Sequence, residues 1–434
     1  MPDLVVRGDK EDIAIEDGKI AEIGLQLPGA AEEIDARGLH VFPGLIDVHL
    51  HFNEPGRTEW EGAASGSRAL AAGGGTLFFD MPLNSTPCTV DAAAFDRKLA
   101  ALTESSITDF ALWGGLIPGN VPEMAELADR GVVGFKAFLC DSGLPEFPRA
   151  DDQTLFDGLR EAARLGLPVA VHAESQELTQ RVVPQDRGSI QAFLASRPII
   201  AELEAIQRAT LLAREAGAKL HIVHVSSGRG VALAAEARAH GADVSIETCP
   251  HYLFFTEDDL DRLGAVAKCA PPLRGAREQD ALWMQLLNGN IDIVASDHSP
   301  SPPDMKFGEF AQAWGGIAGV QSTLAVLLDR GHHCRQLSLD RIASLIAAEP
   351  ARRFRIPAKG EIAVGMDADL TLVDVFRSAT LRPEHLMQRH PMNNPYLGSA
   401  FRGCVERTIR RGESIFLSGK ITARSGGKFV RPAR

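Results

Sequence analysis

Residues 42–62 read FPGLIDVHLHFNEPGRTEWEG. An apolar run, Gly44 to Val48, ends in two histidines one residue apart, His49 and His51. In an extended strand, side chains two apart share a face, so both imidazoles point the same way. Seven further short apolar runs follow. They are GTLFFDMPLN (75–84), FALWGGLIP (110–118), VVGFKAFLC (132–140), LPVAVHAES (167–175), LHIVHVSS (220–227), DVSIETCPH (243–251) and IDIVASDHSP (291–300). Between them lie segments such as TLFDGLREAARLG (154–166) and AELEAIQRATLLAREAG (201–217), with apolar residues at helical spacing and a closing glycine. Eight buried strands alternating with helices predict an α/β fold, a (β/α)8 TIM-like barrel.

The two ends have a different texture. DIAIEDGKIAEIG (12–24) and CVERTIRRGESIFLSG (404–419) alternate apolar and polar residues around Asp-Gly and Arg-Gly turns, as β-hairpins do. We expect residues 1–45 and 361–434 to build one small β-sandwich domain from both termini, with the barrel over 46–360.

Bulk properties narrow the function classes. The 434 residues carry a formal net charge of −12, which argues against a nucleic-acid or anionic-membrane surface. The six cysteines form no CxxC pair and read as reduced thiols of a cytoplasmic protein. We expect no signal peptide, since Met-Pro-Asp opens no basic-then-apolar segment, and no membrane span, since no apolar run approaches ~20 residues.

In a (β/α)8 barrel the active site lies where the strands end. The unusual residues fall there. His49 and His51 end the first strand, Lys136 lies in the fourth, and His172, His224 and Asp297 end the fifth, sixth and eighth. Singly, each has an ordinary reading. An HxH pair is often incidental, an inward histidine is usually a hydrogen-bonded core residue, and an aspartate at a strand end is often a helix cap. A lone lysine there is ordinarily salt-bridged or snorkelling. Jointly, five conventional ligands and one lysine at one rim point to a metal centre. As an ammonium Lys136 would repel cations. Its carbamate, formed with carbon dioxide, has two oxygens and a negative charge and can bridge two metals about 3.5–4 Å apart.

Other residues have blander readings. Gly73 to Gly75 form a turn before the second strand, His221 faces outward because it is three residues from His224, and His332 and His333 are solvated near a helix end. Cys140 is a free thiol, and His251 is structural.

At these positions the chain resembles the cyclic-amide branch of the amidohydrolase superfamily, its allantoinases above all. The stretches that carry the likeness are HFNEPGRTEWEG (51–62), DMPLNSTP (80–87), GFKAFLCDSG (134–143), TCPHYL (248–253), KCAPP (268–272), SDHSP (296–300) and WGGIAGVQ (314–321). HPMNNPYLG (390–398) departs from the expected Thr-Pro-Tyr run. The resemblance implies that His49, His51 and Asp297 bind one metal and His172 and His224 a second. Lys136, as N6-carboxylysine, would bridge them. Two divalent ions, zinc first and manganese, cobalt, nickel or iron as alternatives, suit imidazole and oxygen ligands. The resemblance further implies opening of the hydantoin ring of allantoin to allantoate by a metal-bridging hydroxide, with Asp297 as general base. Asn84 would contact the substrate, as would the backbone near Cys269 and Ala270 and near Gly315 and Gly316. A homotetramer or homodimer is implied as well.

Three alternatives stand beside this. Dihydroorotases place an arginine two residues after the second histidine and a histidine four after the catalytic aspartate. Here these are Asn53 and Ser301. A carboxylate substrate without its arginine loses about 1.5–3 kcal/mol, although Arg57 is near enough in sequence to substitute. Dihydropyrimidinases and other hydantoinases usually carry a tyrosine shortly after the bridging lysine, and AFLCDSG (137–143) has none. A non-catalytic barrel scaffold would lack at least one of the six residues.

Overall fold

In the computed structural model, which describes residues 2–179 and 189–433, every one of the eight apolar runs contributes a barrel strand. These are β1 (Leu45–Leu50), β2 (Gly75–Asp80), β3 (Asp109–Leu112, resuming at Gly114–Gly115), β4 (Phe135–Phe138), β5 (Val169–His172), β6 (Leu220–Ile222), β7 (Val244–Thr248) and β8 (Ile293–Val294). Consecutive strands pair in parallel all the way round. Just beyond β8, a parallel bridge between His298 and Leu50 closes the ring. Closure leaves the short strands β6 and β8 without a free edge. Trp113 interrupts β3, and its indole N–H donates to the Val48 carbonyl across the barrel at 2.9 Å.

The helical patterns become helices Asp152–Leu165 and Ile199–Ala216. Asp151 caps the first by accepting the Thr154 N–H. Both stop at glycines in the left-handed region, Gly166 (φ 71°) and Gly217 (φ 63°), where a Cβ would be strained.

The termini form two sheets. One has the order Lys19–Gly24, Asp12–Glu16, Leu4–Arg7, Glu32–Asp35, and the other Lys420–Ile421, Glu413–Leu417, Ala400–Arg410, Leu370–Thr380, His40–Pro43. Pro43 pairs with Leu370, so a strand from each end meets in one sheet. Leu4, Val6 and Ile15 from one sheet pack with Leu370, Leu372 and Ile409 from the other in a shared core. The expected hairpin turns form, with Asp17-Gly18 and Arg411-Gly412 all at positive φ.

The last residues reach back to the barrel. Phe110 in β3 donates its N–H to Lys428 O and accepts from the Val430 N–H, and Phe429 packs edge-on to Phe95. The C-terminal segment therefore ends on the barrel, its Phe429 ring packed against Phe95 and Phe110. A buried ionic cluster ties the domains together: Lys359 Nζ lies 2.6 Å from Asp369, 2.9 Å from Asp109 and 3.0 Å from Asp367.

Candidate metal centre and active site

The barrel mouth holds a cavity of about 600 Å³. His49, His51, Asn84, His172, His224, Cys269, Asp297, Gly315 and Gly316 all line it. Lys136 does not line it. It is buried in β4, its Nζ 5.0 Å from the centre of the Phe138 ring, which stacks on His172. Asp297 Oδ1 lies 3.2 Å from His49 Nε2 and 3.5 Å from His51 Nε2. His172 Nδ1 lies 3.0 Å from His224 Nε2, and the rings of His49 and His224 are 5.3 Å apart. Five of the six residues singled out in the sequence thus line one cavity, and the sixth, Lys136, is buried near Asp297.

Two carboxylates set the tautomers. Glu247 Oε1 faces His49 Nδ1 at 2.7 Å, and Glu174 Oε2 faces His172 Nε2 at 2.8 Å. An ionised carboxylate only accepts, so those nitrogens carry the protons. In the neutral rings the lone pairs then sit on His49 Nε2, turned to Asp297, and on His172 Nδ1, turned to His224. A lone pair aimed at a carboxylate repels it unless a cation lies between. The arrangement suits a carboxylate–histidine pair that orients a metal ligand. Burial pushes the pKa values of His51, His172 and His224 below the ordinary imidazole value, which keeps their lone pairs free. For Asp297 burial opposes ionisation, yet positive charge at His49 and His51 pulls its carboxyl well below the usual carboxylate range, and a cation lying between them would do the same.

Among the buried atoms here without a hydrogen-bond partner are Lys136 Nζ, His51 Nδ1 and His224 Nδ1. Buried polar groups without partners are rare and costly. Burial pushes the Lys136 amine down to about 8, although Asp297 and Glu247 pull it up. An amine so placed is partly unprotonated near neutral pH and can react with carbon dioxide. The donor set therefore fits a metal centre. Ligating atoms of His49, His224 and Asp297 lie within 4.8 Å of one another. Those of Cys140, His172 and Glu174 do too, but there the Arg197 guanidinium already engages Glu174.

The backbone is strained at this rim. Asn53 (φ 62°), Asn84 (φ 69°), His224 (φ 41°) and Asp297 (φ 44°) are non-glycine residues in the left-handed region. Each costs on the order of 1–3 kcal/mol, and such strain clusters at functional sites.

Sequence reading placed His221 on the outside, and the structure corrects this. His221 is fully buried, its Nε2 3.0 Å from Glu247 and its ring stacked beside Trp113. The left-handed backbone at His224 breaks the two-residue alternation, so counting back from His224 assigns the wrong face. His332 and His333 are half-buried rather than solvated, and each donates to a carbonyl, of Leu337 and Val375. Arg57 is no carboxylate clamp. It pairs with Glu146 at 2.7 Å, lies over Trp60 and is not among the lining residues. Glu247 and Glu174 were missed. Glu247 had a visible signal, a carboxylate inside an apolar run. Glu247→Gln is expected to lower metal affinity about 10–100-fold, because the amide can offer His49 a donor in place of an acceptor. Metal analysis after graded dialysis checks this, and wild-type retention would count against the orienting role.

Comparison with known proteins identifies the family. The amidohydrolase family model matches residues 40–415. The allantoinase of Solibacter usitatus is 66% identical over 446 aligned residues, covering 100% of this chain and 97% of that one. That of Deinococcus radiodurans is 50% identical, covering 99% of each chain. That of Escherichia coli is 42% identical, covering 93% of this chain and 91% of its own. Among solved structures, the L-hydantoinase (dihydropyrimidinase) of Arthrobacter aurescens superposes with a TM-score of 0.95 at 34% identity, covering 99% of this chain and 100% of that one. With a family model spanning most of its length, full-length relatives and a rim of inward histidines and aspartate on a parallel barrel, the chain belongs to the amidohydrolase family.

Proposed function

We propose that this chain hydrolyses the hydantoin ring of allantoin to allantoate. Full-length similarity to allantoinases supports the substrate. The observation that carries the chemistry is the pair of oriented histidines, His49 and His172, whose free nitrogens face Asp297 and His224. In this reading His49, His51 and Asp297 would hold one divalent ion and His172 and His224 a second, and Lys136, as N6-carboxylysine, would help hold them. Zinc suits such a set best. The metal pair supplies an acidified water and a Lewis acid for the ring carbonyl.

The chain's own residues do the rest. Glu247 and Glu174 keep protons on His49 Nδ1 and His172 Nε2, so the opposite nitrogens remain ligands. Asp297, held ionised, accepts the proton of the attacking water and returns it to the departing ring nitrogen. Asn84, which donates to Ser299 Oγ at 3.3 Å, orients the ring together with the backbone near Cys269 and Gly315. Gly316 has φ 139°, and a Cβ there would meet Ser299 O at 2.2 Å, so the backbone packs directly on the strand-end loop. At the position where dihydroorotases carry arginine, Asn53 is buried and donates to Pro300 O at 3.4 Å. Arg197, the guanidinium in the lining, is engaged by Glu174. An uncharged ring suits this cavity better than a carboxylate.

We place the barrel at 46–360 and the small domain at 1–45 with 361–434, and the working form as a homodimer or homotetramer. Among the described residues no helix is long and apolar enough to cross a membrane. The test is ring opening by one metal-replete preparation on allantoin, dihydroorotate, dihydrouracil and hydantoin. Allantoin is expected to turn over fastest. Fastest turnover of dihydroorotate would replace the substrate and leave the chemistry standing.

A further inference from the structure

After β8 the chain crosses the cavity in a loop with little regular structure beyond a short 3-10 turn, Pro303–Lys306. Its residues 311–316 line the cavity. A loop at a buried wall must find partners for its carbonyls. Here two lysines supply them. Lys268 Nζ donates to Phe310 O (2.7 Å), Ala311 O (3.0 Å) and Ala313 O (2.6 Å). Lys306 Nζ donates to Trp314 O (2.9 Å) and Gly316 O (2.7 Å). The Lys268 carbonyl in turn accepts the Gly316 N–H at 2.7 Å. Both side chains are buried. Among the described residues neither ammonium has a carboxylate within ion-pair distance.

We infer that Lys268 and Lys306 are positioning residues that hold the Phe310–Gly316 loop in shape as the substrate-facing wall of the cavity. An ammonium has three donors and no acceptor, so three converging carbonyls use Lys268 in full. The planar fork of an arginine cannot reproduce that geometry. Lys268 also lies 5.1 Å and 5.4 Å from the ring centres of Phe193 and Phe310, which fix its direction. Burial and the nearby Arg197 push Lys268 down to about 8, and burial and Lys268 push Lys306 down to about 7. Charged groups are not ordinarily kept under such pressure for solubility, and the loop carbonyls give these two a use. Without the ammonium groups the carbonyls turn to water and the wall loosens. The proposed metal ligands sit on or just beyond the barrel strands, with His49 and His172 oriented by Glu247 and Glu174, so the chemical step survives.

This rests on reading the cavity as the substrate site. The experiment compares Lys268→Met and Lys306→Met with wild type for KM and kcat on allantoin and hydantoin, bound metal, and hydrogen exchange over residues 303–316. The expected result is a KM raised about tenfold or more, kcat within about threefold, unchanged metal, and faster exchange confined to that segment. An unchanged KM, or a fall in kcat alone, overturns the inference. If wild type prefers another ring, the substrate reading fails and the same comparison is made on that ring. If it opens none, hydrogen exchange decides, and wild-type protection of the loop in both variants overturns the inference. Should Lys268→Met not fold by circular dichroism, Lys306→Met carries the test alone.

Discussion

Asp297→Asn is expected to lower turnover about 10²–10⁴-fold while the protein stays folded. The reasoning starts from position. Asp297 lies just beyond the last barrel strand and lines the cavity, its Oδ1 shared between His49 and His51. The amide keeps the shape and removes the charge, so it can neither accept a proton at neutral pH nor balance a cation. The left-handed backbone at this residue tolerates asparagine as readily as aspartate, which spares the fold. Metal content measured on the same sample separates a lost proton carrier from a lost ligand. Turnover equal to wild type at full occupancy would rule out the proton-transfer role.

Lys136→Ala is expected to cut both bound metal and turnover, the latter at least about 10²-fold, without lowering the melting midpoint as a core truncation does. An ordinary buried lysine is held by acceptors, and its removal strands them. Lys136 Nζ has no partner. Its removal leaves no group unsatisfied and relieves a buried polar atom. A carbamate-bearing lysine therefore predicts a variant that is stable and empty, and partial recovery with added metal and a short carboxylate. Full metal occupancy with a normal rate would remove Lys136 from the site. A collapse of stability would make it a structural residue.

The two variants probe residues that were visible for different reasons. Asp297, His49 and His51 stood out because ionisable side chains at the ends of apolar runs are expensive to place there without use. Lys136 stood out through its company: a lysine in a strand is ordinary, but one beside four histidines is not. Glu174 and Glu247 did not stand out as partners, since nothing local says which imidazole a carboxylate will meet. The pairing of Glu247 with His49 joins residues 198 positions apart. Lys268 and Lys306 were passed over for the same reason. Their acceptors are backbone carbonyls of an irregular loop, and carbonyls have no sequence signature. His221 shows the opposite failure, where a local rule was applied across a residue with reversed backbone handedness.

What the sequence by itself determined is the barrel, the hairpins of the small domain, and the residue types delivered to the strand ends. Those follow from periodicity and turn chemistry, which act over a few residues. Only the tertiary structure decided which nitrogen of each histidine faces the centre, where the C-terminal segment finds its cover, and what holds the loop over the cavity. These depend on hydrogen bonds and contacts between residues far apart in the chain, and such contacts exist only once the ring of strands has closed.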